Sequence, residues 1–89
     1  MLAKPTQPDD KREMSMLTLS DLPKGTLGIV RQLEGGKNFT ARAAAFGLII
    51  GTRIAILQNH GKGPVIISMR DTRVALGRGE AQMVQVETL

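Results

Sequence analysis

The sequence predicts a mainly β fold, a small barrel or sandwich of about five strands with one short inserted helix. Short stretches rich in Val and Ile alternate with clusters of Gly, Pro, Asn and Asp, which is the spacing of strands and tight turns. One Ala-rich stretch that ends in glycine interrupts them, as expected of a single helix. No other helix of crossover length separates the strands, whereas a parallel sheet needs one at each step.

The first half of the chain contains one predicted strand and the helix. Residues 27–33 are rich in Ile and Val and follow a turn made of Ser, Asp, Pro and Gly. After a glycine pair breaks this strand, residues 39–46 predict a helix of about two turns, with Asn38 as its N-cap and Gly47 at its left-handed end. A helix this short is unstable alone. It should pack on the sheet through residues at helical spacing, which are Phe39, Ala43 and Phe46.

The second half predicts four strands joined by turns. Their apolar residues alternate with other side chains, as on a half-buried sheet. A loop with two glycines, 59–63, joins the first two of these strands, and a turn that begins at Gly77 extends as one helical turn through Ala81. The four predicted strands cover residues 52–58, 64–69, 73–76 and 83–87.

Residues 1–16 are predicted to be a disordered tail, and residues 17–89 the folded domain. The tail is polar, aperiodic and of zero net charge, and it lacks the apolar segment of about 7–15 residues that marks a signal peptide. The longest nearly unbroken apolar run, residues 43–50, is much shorter than the roughly 18 residues of a membrane span. Together with the absence of cysteine, these features predict a cytoplasmic protein. Translation that starts at Met16 is an alternative interpretation of the tail.

The excess positive charge lies in the predicted domain. The formal net charge is +4, and all of it comes from residues 17–89. A basic domain suggests an acidic partner, which is a nucleic acid, an anionic membrane surface or an acidic protein surface. The chain has no Trp or Tyr and only two Phe. Because base stacking and proline-rich ligands both use aromatic rings, neither kind of binding is favoured.

No arrangement of residues predicts an enzyme. His60, the single histidine, lies in a glycine-containing loop with no neighbouring nucleophile. The acidic residues of the domain fall on different predicted turns and strand ends, so no pair is placed for acid–base chemistry. A metal site needs several converging ligands. We therefore predict no catalytic residue, no cofactor and no metal site.

Glycines and apolar residues at defined spacings carry a family resemblance. They open the first strand, end the helix, begin the strand after it and mark the two strands that follow. In chain order the main positions are Gly25, Gly28, Val30, Gly47, Leu48, Gly51, Ile54, Gly63, Pro64, Val65, Ile67, Val74, Ala75 and Leu76. Across residues 17–87 this order resembles the FeoA family of small ferrous iron transport proteins. The chain departs from the family pattern at Ala45, Phe46, Ile50 and Gly77.

The resemblance implies a small SH3-like barrel with a helix inserted between early strands. It also implies a cytosolic accessory role in ferrous iron uptake. Transition metal ion binding is a function associated with this family. In this role the protein binds the cytosolic part of the FeoB-type permease and modulates its assembly or its GTP cycle. We expect the contact at the helix end and the loop after it, through Arg42, Phe46, Leu48, Ile49 and Ile50. Phe46 and Leu48 have an alternative interpretation as core residues.

Other functions also fit parts of the sequence. The spacing of Gly25, Gly28 and Val30 resembles the opening of a KOW motif, so a basic nucleic-acid-binding barrel is the alternative hypothesis. Exposed strand edges would permit self-association of the chain. Direct binding of ferrous iron is a separate hypothesis, but one histidine offers few of the ligands that this ion prefers.

Overall fold

The computed structural model describes residues 16–89. The predicted tail, except for Met16, therefore lies outside the described residues. Six strands, one 3₁₀ turn and two helices make up the described part of the chain. In order they are β1 Met16–Thr18, the 3₁₀ turn Leu19–Asp21, β2 Leu27–Leu33, α1 Gly36–Ala45, β3 Arg53–Gln58, β4 Val65–Met69, β5 Thr72–Leu76, α2 Arg78–Ala81 and β6 Val84–Thr88.

All six strands form one antiparallel sheet in the order β1-β6-β2-β3-β4-β5. The sheet curls into a barrel that has one open seam, because in residues 16–89 no strand pairing joins the two edge strands, β1 and β5. The barrel is therefore not the closed ring that strand spacing alone allows. The short helix α2 contacts both β5 and the 3₁₀ turn that follows β1. Helix α2 therefore covers the seam where the strands do not pair.

The predicted mainly β fold is confirmed, and its strands match the structure to within one residue at most ends. The strand that sequence patterns missed is β1, which pairs with β6 through Met16 and Glu87 and through Thr18 and Gln85. Three residues are too few to show an alternation of apolar and polar side chains. Since β1 begins at Met16, the first strand starts one residue before the predicted domain boundary.

The start of α1 differs from the prediction. Asn38 is exposed inside the helix, and the N-cap is Gly35. A Cβ atom at Gly35 would collide with the sulfur of Met83 and with the Phe39 side chain, so glycine lets the chain approach these two residues closely here. Part of this constraint comes from Met83, which is distant in sequence from Asn38.

The core lies inside the curl of the sheet, with α1 against one end. Phe39 and Ala43 are buried, as the helical spacing predicts, but Phe46 is not, because the helix ends before it. Fully buried side chains alternate along β4 and β6, which leaves the other face of these strands to the outside. The largest of the fully buried side chains are Leu19, Leu22, Leu48, Ile56, Ile67, Val30, Val65, Val84 and Val86.

A polar network ties the seam together on one side. The guanidinium group of Arg78 in α2 donates hydrogen bonds to the carbonyl oxygens of Gly63 (3.1 Å) and Ser20 (3.2 Å) and to Oδ1 of Asn59 (2.6 Å). The Asn59 side-chain amide donates in turn to the carbonyl oxygens of Ser20 (3.1 Å) and Leu22 (2.7 Å). One arginine thus links α2, the loop before β4 and the 3₁₀ turn.

Candidate partner interface

The segment that joins α1 to β3, residues 46–52, is held by backbone hydrogen bonds at the helix end. The N–H of Gly47 donates to the carbonyl of Ala44 (3.0 Å), and the N–H of Leu48 donates to the carbonyl of Ala43 (2.9 Å). These two bonds, with Gly47 at a φ of 97°, form a complete Schellman motif. The predicted left-handed glycine at the helix end is therefore confirmed.

The other end of the 46–52 loop is fixed to the sheet. The N–H of Gly51 donates to the carbonyl of Val30 (2.7 Å), and the N–H of Val30 donates to the carbonyl of Thr52 (2.9 Å). The Thr52 hydroxyl donates to the carbonyl of Gly47 (3.1 Å) and accepts from the N–H of Ile49 (3.2 Å). The loop is thus braced at both ends and across its middle, and its side chains have defined directions.

This bracing directs the predicted site residues to two different places. Leu48 is fully buried, because the residue after a left-handed helix end turns back to pack on the helix. Its side chain anchors the loop and is not on the surface, as its interpretation as a core residue anticipates. Phe46, Ile49 and Ile50 point outward and are 37%, 51% and 62% exposed. The loop therefore presents three large apolar side chains to solvent.

Arg42 lies apart from these apolar side chains in its contacts. It sits in the last turn of α1, and its guanidinium group forms an ion pair with the carboxylate of Glu80 in α2. Glu80 also accepts a hydrogen bond from the N–H of Gly77 (3.3 Å) at the start of α2. Arg42 links the two helices, and its side chain remains largely exposed to solvent.

A groove of about 300 Å³ runs beside the loop. We call it the loop groove. Phe46, Ile49 and Thr52 form one wall, and the β4–β5 turn with Arg70 forms the other. Ile50 is exposed but does not line it. The full lining is Phe46, Gly47, Ile49, Thr52, Met69, Arg70 and Thr72.

A second groove of about 220 Å³, which we call the sheet groove, lies on the outer face of β2, β3 and β4. Leu27 and Leu89, which are 55% and 68% exposed, form its apolar rim. The N–H of Leu89 donates to the carbonyl of Leu27 (3.0 Å), which places the two side chains at the same edge. The lining is Leu27, Arg53, Ile54, Ala55, Ser68, Arg70 and Leu89. Arg70 lines both grooves, so they lie next to each other.

Of the five site residues predicted from sequence, Phe46 and Ile49 line the loop groove, and none lines the sheet groove. Leu27 and Arg53 occupy outward positions of their strands, where alternation with the buried Gly28 and Ile54 could have identified them. The alternation does not reveal that Arg70 stands beside them. Only the strand register, which opposes Leu27 to Ala55 and Ala55 to Ser68, brings the β4–β5 turn to this place.

The His and acidic side chains of the described residues are not clustered. His60 is exposed, as predicted for a solvated loop residue. Within residues 16–89 no group of three or more His, Cys, Asp or Glu side chains could hold a metal ion. No helix in the same part of the chain is long and apolar enough to cross a membrane.

Comparison with known proteins identifies the family. The family model described as FeoA domain matches residues 17–88. The chain belongs to the FeoA family. An archaeal FeoA relative, Fe(2+) transport protein A of Methanocaldococcus jannaschii, is 33% identical over 72 residues, which cover 81% of this chain and 87% of the relative. The predicted family is therefore confirmed, and the chain is a protein of ferrous iron transport.

Solved FeoA structures share the fold. The crystal structure of an iron uptake regulatory protein (FeoA) is 38% identical, has a TM-score of 0.79, and aligns with 83% of this chain and 99% of its own. The zinc complex of Stenotrophomonas maltophilia FeoA, described as a prokaryotic SH3 domain protein, is 26% identical with a TM-score of 0.70. It aligns with 80% of this chain and 89% of its own. The SH3-like barrel predicted for this FeoA chain is confirmed.

Proposed function

We propose that this FeoA protein is a cytoplasmic accessory protein of ferrous iron uptake. It binds the cytosolic part of a FeoB-type permease and modulates that permease's assembly or GTP cycle, and it performs no chemistry of its own. The observation that carries the proposal is the braced 46–52 loop, which presents Phe46, Ile49 and Ile50 to solvent. The description of the Stenotrophomonas maltophilia relative, which proposes a ferrous iron transport activating factor, supports this role.

The exposed apolar residues of the 46–52 loop have the properties of a binding hot spot. Full burial of a large apolar side chain contributes about 1.5–3 kcal/mol, and part of this offsets the lost freedom of the two molecules. A loop that is already ordered loses little further entropy when a partner covers it. Phe46 and Ile49 line one groove, and Ile50 stands beside it, so one partner surface can cover all three. Arg42, which is exposed in the last turn of α1, is the polar contact in this proposal.

The test is a titration of the full chain against the purified cytosolic region of the same organism's permease, with and without GTP. We expect Ile49→Asp and Ile50→Asp each to weaken binding by about tenfold or more, because a carboxylate would have to be desolvated against an apolar surface. Gln82→Asp is the matched control, since Gln82 is exposed after α2 and receives the same added charge.

The outcomes separate clearly. Saturable binding of the wild-type chain that both Ile variants lose and Gln82→Asp retains supports the proposal. A dependence on GTP would show that the contact is linked to the GTP cycle. If the wild-type chain does not bind, the proposed partner is wrong. If it binds and the Ile variants bind equally well, the 46–52 loop is not the interface.

A further inference from the structure

The loop groove and the sheet groove are neighbours, and Arg70 lines both of them. Across the outer face of the sheet, the strand register aligns Leu27 with Ala55, Ala55 with Ser68, and Ser68 with Arg73. The middle of this row has small side chains, and its ends have a leucine and an arginine. The row is therefore a shallow trough with an apolar end and a basic end.

Within residues 16–89, the ion pairs between side chains do not involve the arginines of this surface. The two ion pairs found in residues 16–89 are Arg31 with Glu87 (2.7 Å) and Arg42 with Glu80. Asp71 is the one carboxylate in the β4–β5 turn, and it forms neither of these pairs. The turn and the trough thus keep a net positive charge from the arginines Arg53, Arg70 and Arg73.

The remaining acidic side chains have partners elsewhere. Glu34 accepts a hydrogen bond from the Gln85 side chain (2.6 Å). Asp21 accepts from the hydroxyl (2.9 Å) and the N–H (3.2 Å) of Thr18. The positive charge at the grooves therefore meets no carboxylate from these parts of the chain, and an external acidic group would complement it.

We propose that the loop groove and the sheet groove together bind an acidic, extended protein segment that also carries aliphatic side chains. Its carboxylates pair with Arg53 and Arg70, and its aliphatic side chains cover Leu27, Leu89 and Ile49. The inference rests on the proposed function, since the loop groove is shared with the permease contact, and it adds the chemistry of the partner segment. Arginine suits this role because its planar fork of donors matches a carboxylate.

The same surface fits two other occupants less well. A nucleic acid would leave the exposed aliphatic side chains of Leu27, Leu89 and Ile49 against phosphates, and single strands are bound mainly by stacking on aromatic rings. Phe46 is the one aromatic side chain that lines the grooves. A symmetric contact between two copies would place the same basic patch of each copy against the other. The combination of aliphatic and guanidinium groups favours an acidic protein segment.

The experiment has two steps. Overlapping 15-residue synthetic peptides that cover the permease's cytosolic region are first tested for binding to the full chain. The peptides that bind should have negative net charge and at least one Leu, Ile or Phe. The whole cytosolic region is then titrated with the Arg53→Glu/Arg70→Glu variant. We expect this variant to bind at least about tenfold more weakly than the wild-type chain. Added salt should weaken wild-type binding, because exposed charges are screened.

Lys24→Glu/Lys62→Glu is the matched control. It changes the net charge equally, and neither lysine lines a groove. Because charge reversal could perturb folding, Arg53→Gln is tested as well, and thermal unfolding verifies each variant. Arg53→Gln should weaken binding by several-fold, while the lysine control should retain wild-type affinity.

Failure of the inference is distinguishable from failure of the proposed function. If the Ile49→Asp variant loses the permease and both arginine variants keep it, the permease contact stands and the acidic segment is refuted. Equal losses in the arginine and lysine variants would also refute it, because a general charge effect would then suffice. A single-stranded RNA 20-mer bound through Arg53 and Arg70, or a dimer in sedimentation that these variants abolish, would replace the acidic segment with a nucleic acid or a second copy.

Discussion

At the scale of single residues, the 46–52 loop depends on two glycines with positive φ. Gly47 has a φ of 97° and Gly51 a φ of 95°, and a Cβ at either position would meet no atom within 4 Å. The need for glycine there is thus conformational and not steric toward neighbours. Gly28 shows the opposite case, since its Cβ would collide with Val86 in β6. The two kinds of glycine predict different responses to mutation.

We expect Gly47→Ala to lower the free energy of unfolding by about 1–2 kcal/mol, because alanine is strained in the left-handed region. Gly79→Ala is the matched control. Gly79 lies in α2 with ordinary helical φ and open space around a Cβ, so alanine there should be neutral or add up to about 1 kcal/mol. Urea denaturation measures both changes. Equal effects of the two substitutions would refute the role assigned to the Gly47 backbone.

At the scale of elements, β2 is one of the two central strands of the sheet, next to β3. It pairs with β6 on one side and with β3 on the other. The register between β2 and β6 shifts between Val30 and Gln32, which marks a β-bulge. Next to this ladder, the N–H of Gly51 donates to the carbonyl of Val30, so the same strand also supports the 46–52 loop. Damage to the β2–β6 contact should therefore affect the whole barrel.

Gly28→Ala should destabilise the domain by about 1–3 kcal/mol, the usual cost of overpacking. The new methyl group would press on the Val86 side chain and lie 3.1 Å from the carbonyl oxygen of Glu87. For a domain of this size the midpoint of thermal unfolding would fall by roughly 5–20 °C. Gln32→Ala, at an exposed position of the same strand, should change stability by less than about 0.5 kcal/mol. A Gly28→Ala midpoint equal to that of Gln32→Ala would contradict the close strand approach.

At the scale of the whole molecule, the open seam of the barrel is bridged by side chains and not by strand pairing. Arg78 joins α2 to Gly63, Ser20 and Asn59, which lie far apart in sequence. Hydrogen bonds to a charged donor contribute about 1.5–3 kcal/mol when their partners are shielded from water. The part-buried Arg78 side chain thus stabilises the open seam, which a pair of hydrogen-bonded strands closes in a complete barrel.

We expect Arg78→Ala to lower the free energy of unfolding by about 1–3 kcal/mol. Arg73→Ala, on the exposed face of the edge strand β5, should change it by less than about 0.5 kcal/mol. Hydrogen exchange should show faster opening of β5 and the 3₁₀ turn in the Arg78 variant, because these are the elements that α2 contacts. Equal stability of the two arginine variants would refute the bridging role.

Local patterns in the sequence predicted most strands, the helix and the family, because alternation and turn residues act within a few positions. They failed where the cause is distant. Asn38 fits the local pattern of an N-cap, but α1 begins after Gly35, where a Cβ would collide with Met83 and Phe39. Likewise, the loop residues Phe46 and Ile49 were identified, but Arg70 joins them only through the fold of β3 and β4. Sequence alone cannot place residues from separate strands on one surface.

The hydrogen bonds that hold the 46–52 loop also have a thermodynamic consequence. Since the loop is ordered without a partner, its contribution to the heat capacity of binding comes from buried surface and not from coupled folding. The entropy cost of association then falls mostly on the partner segment. Differences in affinity between partner sequences should accordingly arise from how long each complex lasts, while encounter rates stay similar.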